Sequence, residues 1–183
     1  MTPFEINGAL KNLTILVDTR EQPTPHFERR MQQTGLPYVR QKLDFGDYSA
    51  RCALDDGREL NFSGSIAIER KMSLDELCQC YTRGRRRFQD EFLRAKNAGA
   101  KLYLLVENGS WEKAIKGEYR TRMSPTAFFA SLTAWLARYD CQVLFCQPET
   151  TGRLMKEILY REVKERLERG DFDGMDKAGQ EIA

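Results

Sequence analysis

The stretch Ile66–Leu77, IAIERKMSLDEL, constrains the fold more than any other part of the chain. It opens as an apolar strand, sets Glu69, Arg70 and Lys71 side by side, and meets Ser73 two residues later. Ser73 with Glu76 three residues on is a capping-box pattern, which opens a helix. A strand that passes so directly into a helix belongs to a layered α/β arrangement, and the flanking segments agree. LTILVD (Leu13–Asp18) reads as a buried strand ending in an acid, and Pro23 and Pro25 mark a loop. His26–Gly35 reads as a short helix stopped by Gly35 and Pro37. Tyr38–Leu43 and Gly46–Leu54 read as strands, and Asp56–Gly57 turns the chain back into a partner strand, Arg58–Lys71, kinked at Gly64.

Beyond Ser73 the pattern alternates. A helical stretch broken at Gly84 runs to Asn97, and KLYLLVE (Lys101–Glu107) has parallel-sheet character. Trp111–Lys116 reads as a helical turn, Ser124–Tyr139 as a helix with Pro125 at its first position, and Cys141–Cys146 as a strand. Thr150–Arg169 reads as a final amphipathic helix. The fold class is therefore α/β, a central mixed sheet flanked by helices. Residues 1–12 form an N-terminal extension, 13–169 one domain, and 170–183 a mobile tail.

Composition narrows the function. A chain of 183 residues with 41% hydrophobic and 31% charged residues suits one globular domain. Its net charge of +2 does not by itself mark a nucleic-acid binder, so the distribution of charge carries that question. No run reaches the length of a membrane span, and the N-terminus lacks a secretory pattern. Five cysteines without zinc-finger spacing read as reduced thiols of a cytoplasmic protein. A single histidine, His26, excludes a His-rich metal site and leaves one candidate for any nucleophile–histidine pair.

Side chains two apart on a strand share a face, so Glu69 and Lys71 point one way with Ala67, and Ile66, Ile68 and Arg70 the other. A carboxylate beside an ammonium suits a divalent metal with a lysine steadying water or a phosphate oxygen. Mg²⁺ takes oxygen ligands and usually more than one carboxylate. Asp47, at the start of the strand that the hairpin folds against Glu69, is the natural second acid. An ion pair at a strand edge explains the same residues if the pattern is taken alone.

Three separated pieces occur in one order: VDTRE (Val17–Glu21), GDY (Gly46–Tyr48) and IERKMSLDEL (Ile68–Leu77). Together they resemble the GD…ERK…D signature of the XPF-type endonuclease family, and the resemblance spans about Leu13 to Leu167 by element order. It implies a restriction-endonuclease-like three-layer fold. It further implies Asp47 and Glu69 as metal ligands with the Arg70 carbonyl, and Lys71 as the catalytic lysine. Asp18 would lie in the same acidic cluster, so that the Asp18, Asp47 and Glu69 carboxylates converge. Arg20 and Glu21 would support the site or contact substrate. Asp75 would join them, although an acid in a first helical turn is also favoured by the helix dipole.

The segment YTRGRRRFQDEF (Tyr81–Phe92) interleaves arginines with aromatics. Arg85 and Arg87 are its best candidates for phosphate contacts, against the alternative of a solvated helix face. Phe128, Trp135 and Tyr139 either fill the core or exceed what one helix face can bury. With the apolar stripe of the last helix on the same side of the sheet, they would leave a surface for a homodimer to cover. Some relatives carry a helix-hairpin-helix domain, for which the residues before Ala183 leave no room, and a compact stand-alone form points to a bacterial or phage setting. The reading is a cytoplasmic, nucleoid-associated or phage-encoded DNA endonuclease that uses Mg²⁺, with Mn²⁺ able to substitute. Branched or flap DNA is the candidate substrate, in repair, recombination or phage DNA processing. The alternative is a catalytically silent DNA-binding or dimerisation subunit on the same fold, and the retention of Asp18, Asp47, Glu69 and Lys71 weighs against it.

Overall fold

The structure is a computed structural model that describes residues 1–172. Its elements run α1 (Pro3–Lys11), β1 (Leu13–Asp18), α2 (Pro25–Thr34), β2 (Tyr38–Gln41), β3 (Tyr48–Ala53), β4 (Glu59–Asn61) and β5 (Ile66–Lys71). They continue with α3 (Leu74–Tyr81), α4 (Arg85–Asn97), β6 (Lys101–Glu107), α5 (Trp111–Lys116), α6 (Pro125–Tyr139), β7 (Gln142–Cys146) and α7 (Thr151–Arg169). The sheet order is β2-β1-β3-β5-β6-β7, with β4 paired to β3. β1 is parallel to β2, β3 is antiparallel to β1, β4 and β5, and β5, β6 and β7 are mutually parallel along the order. The sheet is thus mixed, as expected from early hairpins followed by strand–helix alternation.

Helices cover both faces. On one, Ile6 and Leu10 of α1, Phe27 and Met31 of α2, and Met155, Leu159, Val163 and Leu167 of α7 pack on Ile15, Val17, Ile66 and Ile68. On the other, Leu77 and Tyr81 of α3, Phe88 and Phe92 of α4, and Phe128, Leu132 and Trp135 of α6 pack on Ala67, Leu102, Leu104 and Val106. The Ser73 cap forms as expected, its Oγ accepting from the Glu76 N–H at 3.2 Å, while Glu76 reaches back past the N-cap to the Met72 N–H at 2.7 Å.

Three readings change. Residues 1–12 are not a bare extension: Thr2 and Glu5 form a reciprocal capping box that starts α1, whose apolar stripe closes one core. The return strand Arg58–Lys71 is two strands, because β4 pairs with the far end of β3 and β5 meets β3 only at Tyr48–Ile68. The ground on which a dimer surface was expected is not met. α6 and α7 lie on opposite faces of the sheet, and Phe128, Trp135 and Tyr139 are all buried within one chain, at 0%, 0% and 7% exposure. The tail expected from Gly170 lies, from residue 173 on, outside the described residues. Among the described residues no helix is long and apolar enough to cross a membrane, and all five cysteines are free.

Candidate active site

The parallel strands β5 and β6 end at one edge of the sheet, and the acids gather there. Ile66 and Ile68 enter one core and Ala67 the other, so Glu69 and Lys71 share the α3–α4 face while Arg70 takes the α2–α7 face. Asp47 reaches the same edge from β3. Its N–H donates to the Ile68 carbonyl at 2.8 Å, and its Oδ2 accepts from the Arg70 N–H at 2.8 Å. The approach depends on Gly46, whose φ is 73° and whose added Cβ would stand 2.8 Å from the Ala67 Cβ.

Glu69 and Lys71 form a buried ion pair, and the Lys71 ammonium lies 5.3 Å from the centre of the Phe88 ring on α4. The second Glu69 oxygen, Oε2, is buried without a hydrogen-bond partner. Burial pushes Asp47 up to about 6, with the charges of Glu21 and Glu91 adding to it against Lys71. Burial, then the charge of Asp47, raises Glu69 well above the carboxylate range. Burial opposes the charge on Lys71, but Glu69 and Asp47 outweigh it and hold the ammonium protonated. The cluster has more acid than one lysine can neutralise, and a cation or protons must make up the difference.

Glu91 on α4 was missed in the sequence. It is buried, and its Oε1 accepts from the Gly46 N–H at 3.0 Å, bracing the turn that delivers Asp47. Its signal was legible: Phe88, Glu91, Phe92 and Ala95 make one buried stripe at helical spacing, and an acid on such a stripe requires a partner.

Asp18 lies beside Asp47, its N–H donating to the Asp47 carbonyl at 2.8 Å, but its carboxylate takes other partners. Its Oδ1 accepts from the Arg20 N–H at 2.8 Å and from Arg20 Nε at 2.6 Å, and its Oδ2 from the Leu43 N–H at 2.7 Å. Burial opposes its charge, yet the Arg20 bonds hold it below the usual carboxylate range. Among the described residues no three His, Cys, Asp or Glu side chains form a group that could hold a metal ion. The convergence expected of Asp18, Asp47 and Glu69 is therefore not formed, and Asp18 instead ties the turn after β1 to the loop at Leu43.

On the opposite face Arg70 pairs with Glu107 of β6. Glu107 Oε1 accepts from Thr151 Oγ1 at 2.7 Å and stands 3.6 Å from Arg30 Nη1. Arg30 Nη2 donates to Glu21 Oε1 at 2.8 Å, and the Tyr48 hydroxyl donates to the same oxygen at 2.7 Å. Glu21 and Arg70 thus brace the edge from behind. Asp75 Oδ1 accepts from the Arg120 N–H at 2.6 Å and so holds a loop rather than the acids. Arg85 lies over the Trp135 ring at 5.7 Å, and Arg87 is exposed one turn short of Glu91.

Two carboxylates, a buried lysine and an unpartnered oxygen at one sheet edge form a site that can take a divalent cation together with a phosphate. Comparisons with known proteins agree with the fold. Residues 17–158 match the ERCC4 domain. XPF from Aeropyrum pernix superposes with a TM-score of 0.59 at 19% identity, over 81% of this chain and 61% of that one. XPF from Aeropyrum pernix in complex with DNA superposes with a TM-score of 0.57 at 22% identity, over 83% of this chain and 65% of that one. The chain thus spans just under two thirds of these solved relatives. No curated protein matches it in sequence. The matched segment opens at Val17, encloses Asp47, Glu69 and Lys71, and runs into α7, so the chain belongs to the ERCC4-domain family.

Proposed function

We propose that the chain is a metal-dependent DNA endonuclease that hydrolyses phosphodiester bonds with Mg²⁺, for which Mn²⁺ substitutes. The observation that carries the reading is Glu69, buried at the end of β5 with Oε2 unpartnered, beside Asp47 and Lys71. A buried carboxylate oxygen without a donor is costly unless a cation completes it. The donor set fits Mg²⁺, which is commonly held by one or two carboxylates with waters and substrate phosphate oxygens. Asp47, Glu69 and the Arg70 carbonyl would hold it. When bound, such an ion neutralises phosphoryl charge and makes water a stronger nucleophile.

The chain's own residues supply the rest. The Arg70 N–H fixes one Asp47 oxygen, so that carboxylate keeps its orientation without a side-chain partner. Lys71, held protonated by its acids, offers a positive charge where negative charge builds on the phosphate. The Phe88 ring against the ammonium restricts its movement and limits water on that side. Arg85 and Arg87 stand at the start of α4, above this face, where they would contact backbone phosphates. The ERCC4-domain match and the DNA complex of XPF from Aeropyrum pernix support DNA as the substrate.

Glu69→Gln tests this reading, because it keeps the shape and removes the charge. With labelled DNA and Mg²⁺ the expected result is a loss of cleavage of about 100- to 1,000-fold or more, with DNA affinity in EDTA within about threefold of wild type. Cleavage at the wild-type rate would remove Glu69 from the chemistry and the reading with it.

A further inference from the structure

The loop 117–123 between α5 and α6 is tied down at three points. Gly117, at φ 75°, ends α5. The Tyr119 hydroxyl donates to the Met123 carbonyl at 3.0 Å, which closes the loop on itself. The Arg120 N–H donates to Asp75 Oδ1 at 2.6 Å, which fastens the loop to the first turn of α3. The Tyr119 ring also packs edge-on against Phe128, 5.1 Å away. A segment braced in this way would hold its outward side chains in a fixed frame.

Those side chains are Arg120 and Arg122, both exposed. Neither guanidinium has a hydrogen-bond or ion-pair partner among the described residues. Together with Arg83 they line a groove between the loop and α3, whose other walls are Gln79, Thr82, Thr121 and Met123, and no acid lines it. Gln79 lies on α3 one turn beyond Asp75, and Thr82 and Arg83 follow directly after the helix, so the groove lies against the C-terminal end of α3. That helix starts three residues beyond Lys71, at the edge that carries the acids. Asp75, in the first turn of that helix, spends an oxygen on the loop backbone, and Glu118, exposed on the same loop, does not line the groove.

We infer that this groove is a phosphate-binding track, which takes the sugar–phosphate backbone of the bound nucleic acid on the side of the cleaved bond that lies over α3. Planar guanidinium groups, an amide and hydroxyls suit phosphate oxygens, and no aromatic ring lines the groove for bases to stack on. The contacts therefore position a strand without reading its sequence. Asp75 acts here as a positioning residue for the loop. The inference rests on the nuclease reading but concerns other residues than Arg85, Arg87 and the acids.

The test compares Arg120→Gln/Arg122→Gln with a control of equal charge change on the opposite face, Arg29→Gln/Arg153→Gln. Binding of labelled single-stranded and blunt duplex DNA is measured in EDTA across a salt series, and cleavage is measured separately in Mg²⁺. Loss of two phosphate contacts should weaken binding about tenfold or more at moderate salt. It should also flatten the slope of log K against log salt by about 1.4 for single strands or 1.8 for duplex. The DNA form that shows this loss is the one that occupies the groove, and the control should stay within about twofold. Wild-type affinity and slope in the loop variant on both forms would overturn the groove while leaving the nuclease reading intact, provided the variant still cleaves. A wild-type protein that binds neither form would overturn both.

Discussion

Asp47 and Glu69 are carboxylates that the fold holds where their charge is disfavoured. Burial pushes Asp47 from 3.8 up to about 6, and it raises Glu69 in the same direction. The folded chain therefore keeps protons that the unfolded chain releases between about pH 4 and pH 6. For a raised carboxylate the sign is clear: its stability contribution is fully present below the unfolded value and is lost as pH rises through the folded one. Asp18 and Glu107 are lowered, so their contributions are lost only on acidification below the usual carboxylate range. In EDTA the urea midpoint should fall as pH rises from about 4 to 7, and Asp47→Asn should remove part of that fall. At pH 7 this variant should exceed the wild type in stability by roughly 1–3 kcal/mol, while cleaving no DNA. A wild-type midpoint that stays level or rises across this window would contradict the burial of these acids. The pair Glu69 and Lys71 was legible from a period of two, whereas the unpartnered Oε2 and the brace from Glu91 were not. They depend on how closely α4 packs on the sheet edge, which strand alternation does not encode.

At the scale of elements, α3, α4 and α6 meet around Trp135. Its ring lies within 4.8 to 6.2 Å of Tyr81, Phe88, Phe92 and Tyr139, and the Arg85 and Arg138 guanidinium groups lie over it. This cluster forms the platform under Lys71, since Phe88 belongs to both. Trp135→Ala should cost about 3–5 kcal/mol in urea denaturation and reduce the near-ultraviolet circular dichroism. A loss below about 1 kcal/mol would mean that the cluster closes over the gap. The aromatic content of α6 was visible in the sequence and suggested a surplus for a partner to bury. The structure places the surplus inside because α3 and α4 bring their own aromatics to the same side. Counting apolar residues on one helix cannot anticipate how much of a neighbouring helix will face it.

Taken whole, the molecule carries two polar layers at one sheet edge, an acidic one on the α3–α4 face and a paired one on the α2–α7 face. The second layer joins α2, β3, β5, β6 and α7 through Arg30, Tyr48, Arg70, Glu107 and Thr151. Glu107→Ala would leave the buried Arg30 and the half-buried Arg70 without their shared acid and should destabilise the protein by about 3–5 kcal/mol. Because Arg70 also presents its N–H to Asp47, the same variant should lose cleavage beyond what its lower stability explains. Denaturation and single-turnover cleavage measured on one preparation separate the two effects. Wild-type stability would show that the paired layer relaxes without Glu107.

The sequence by itself determined the local order of the chain: which segments alternate, where Ser73, Ser124 and Gly84 start or break helices, and which side of β5 each residue takes. These follow from backbone periodicity and capping, which act within a few residues. It also carried the ordered motifs around Asp47, Glu69 and Lys71. Only the tertiary structure decided that Asp18 anchors a turn instead of joining those acids, that Asp75 holds the Arg120 loop, and that Glu91 and Glu107 complete the two layers. Each of these depends on a contact between residues 25 to 45 positions apart, or on helices packed against the sheet edge. Such contacts are set by strand order and by the side of the sheet on which each helix lies, and α6 and α7 were separated by the same cause.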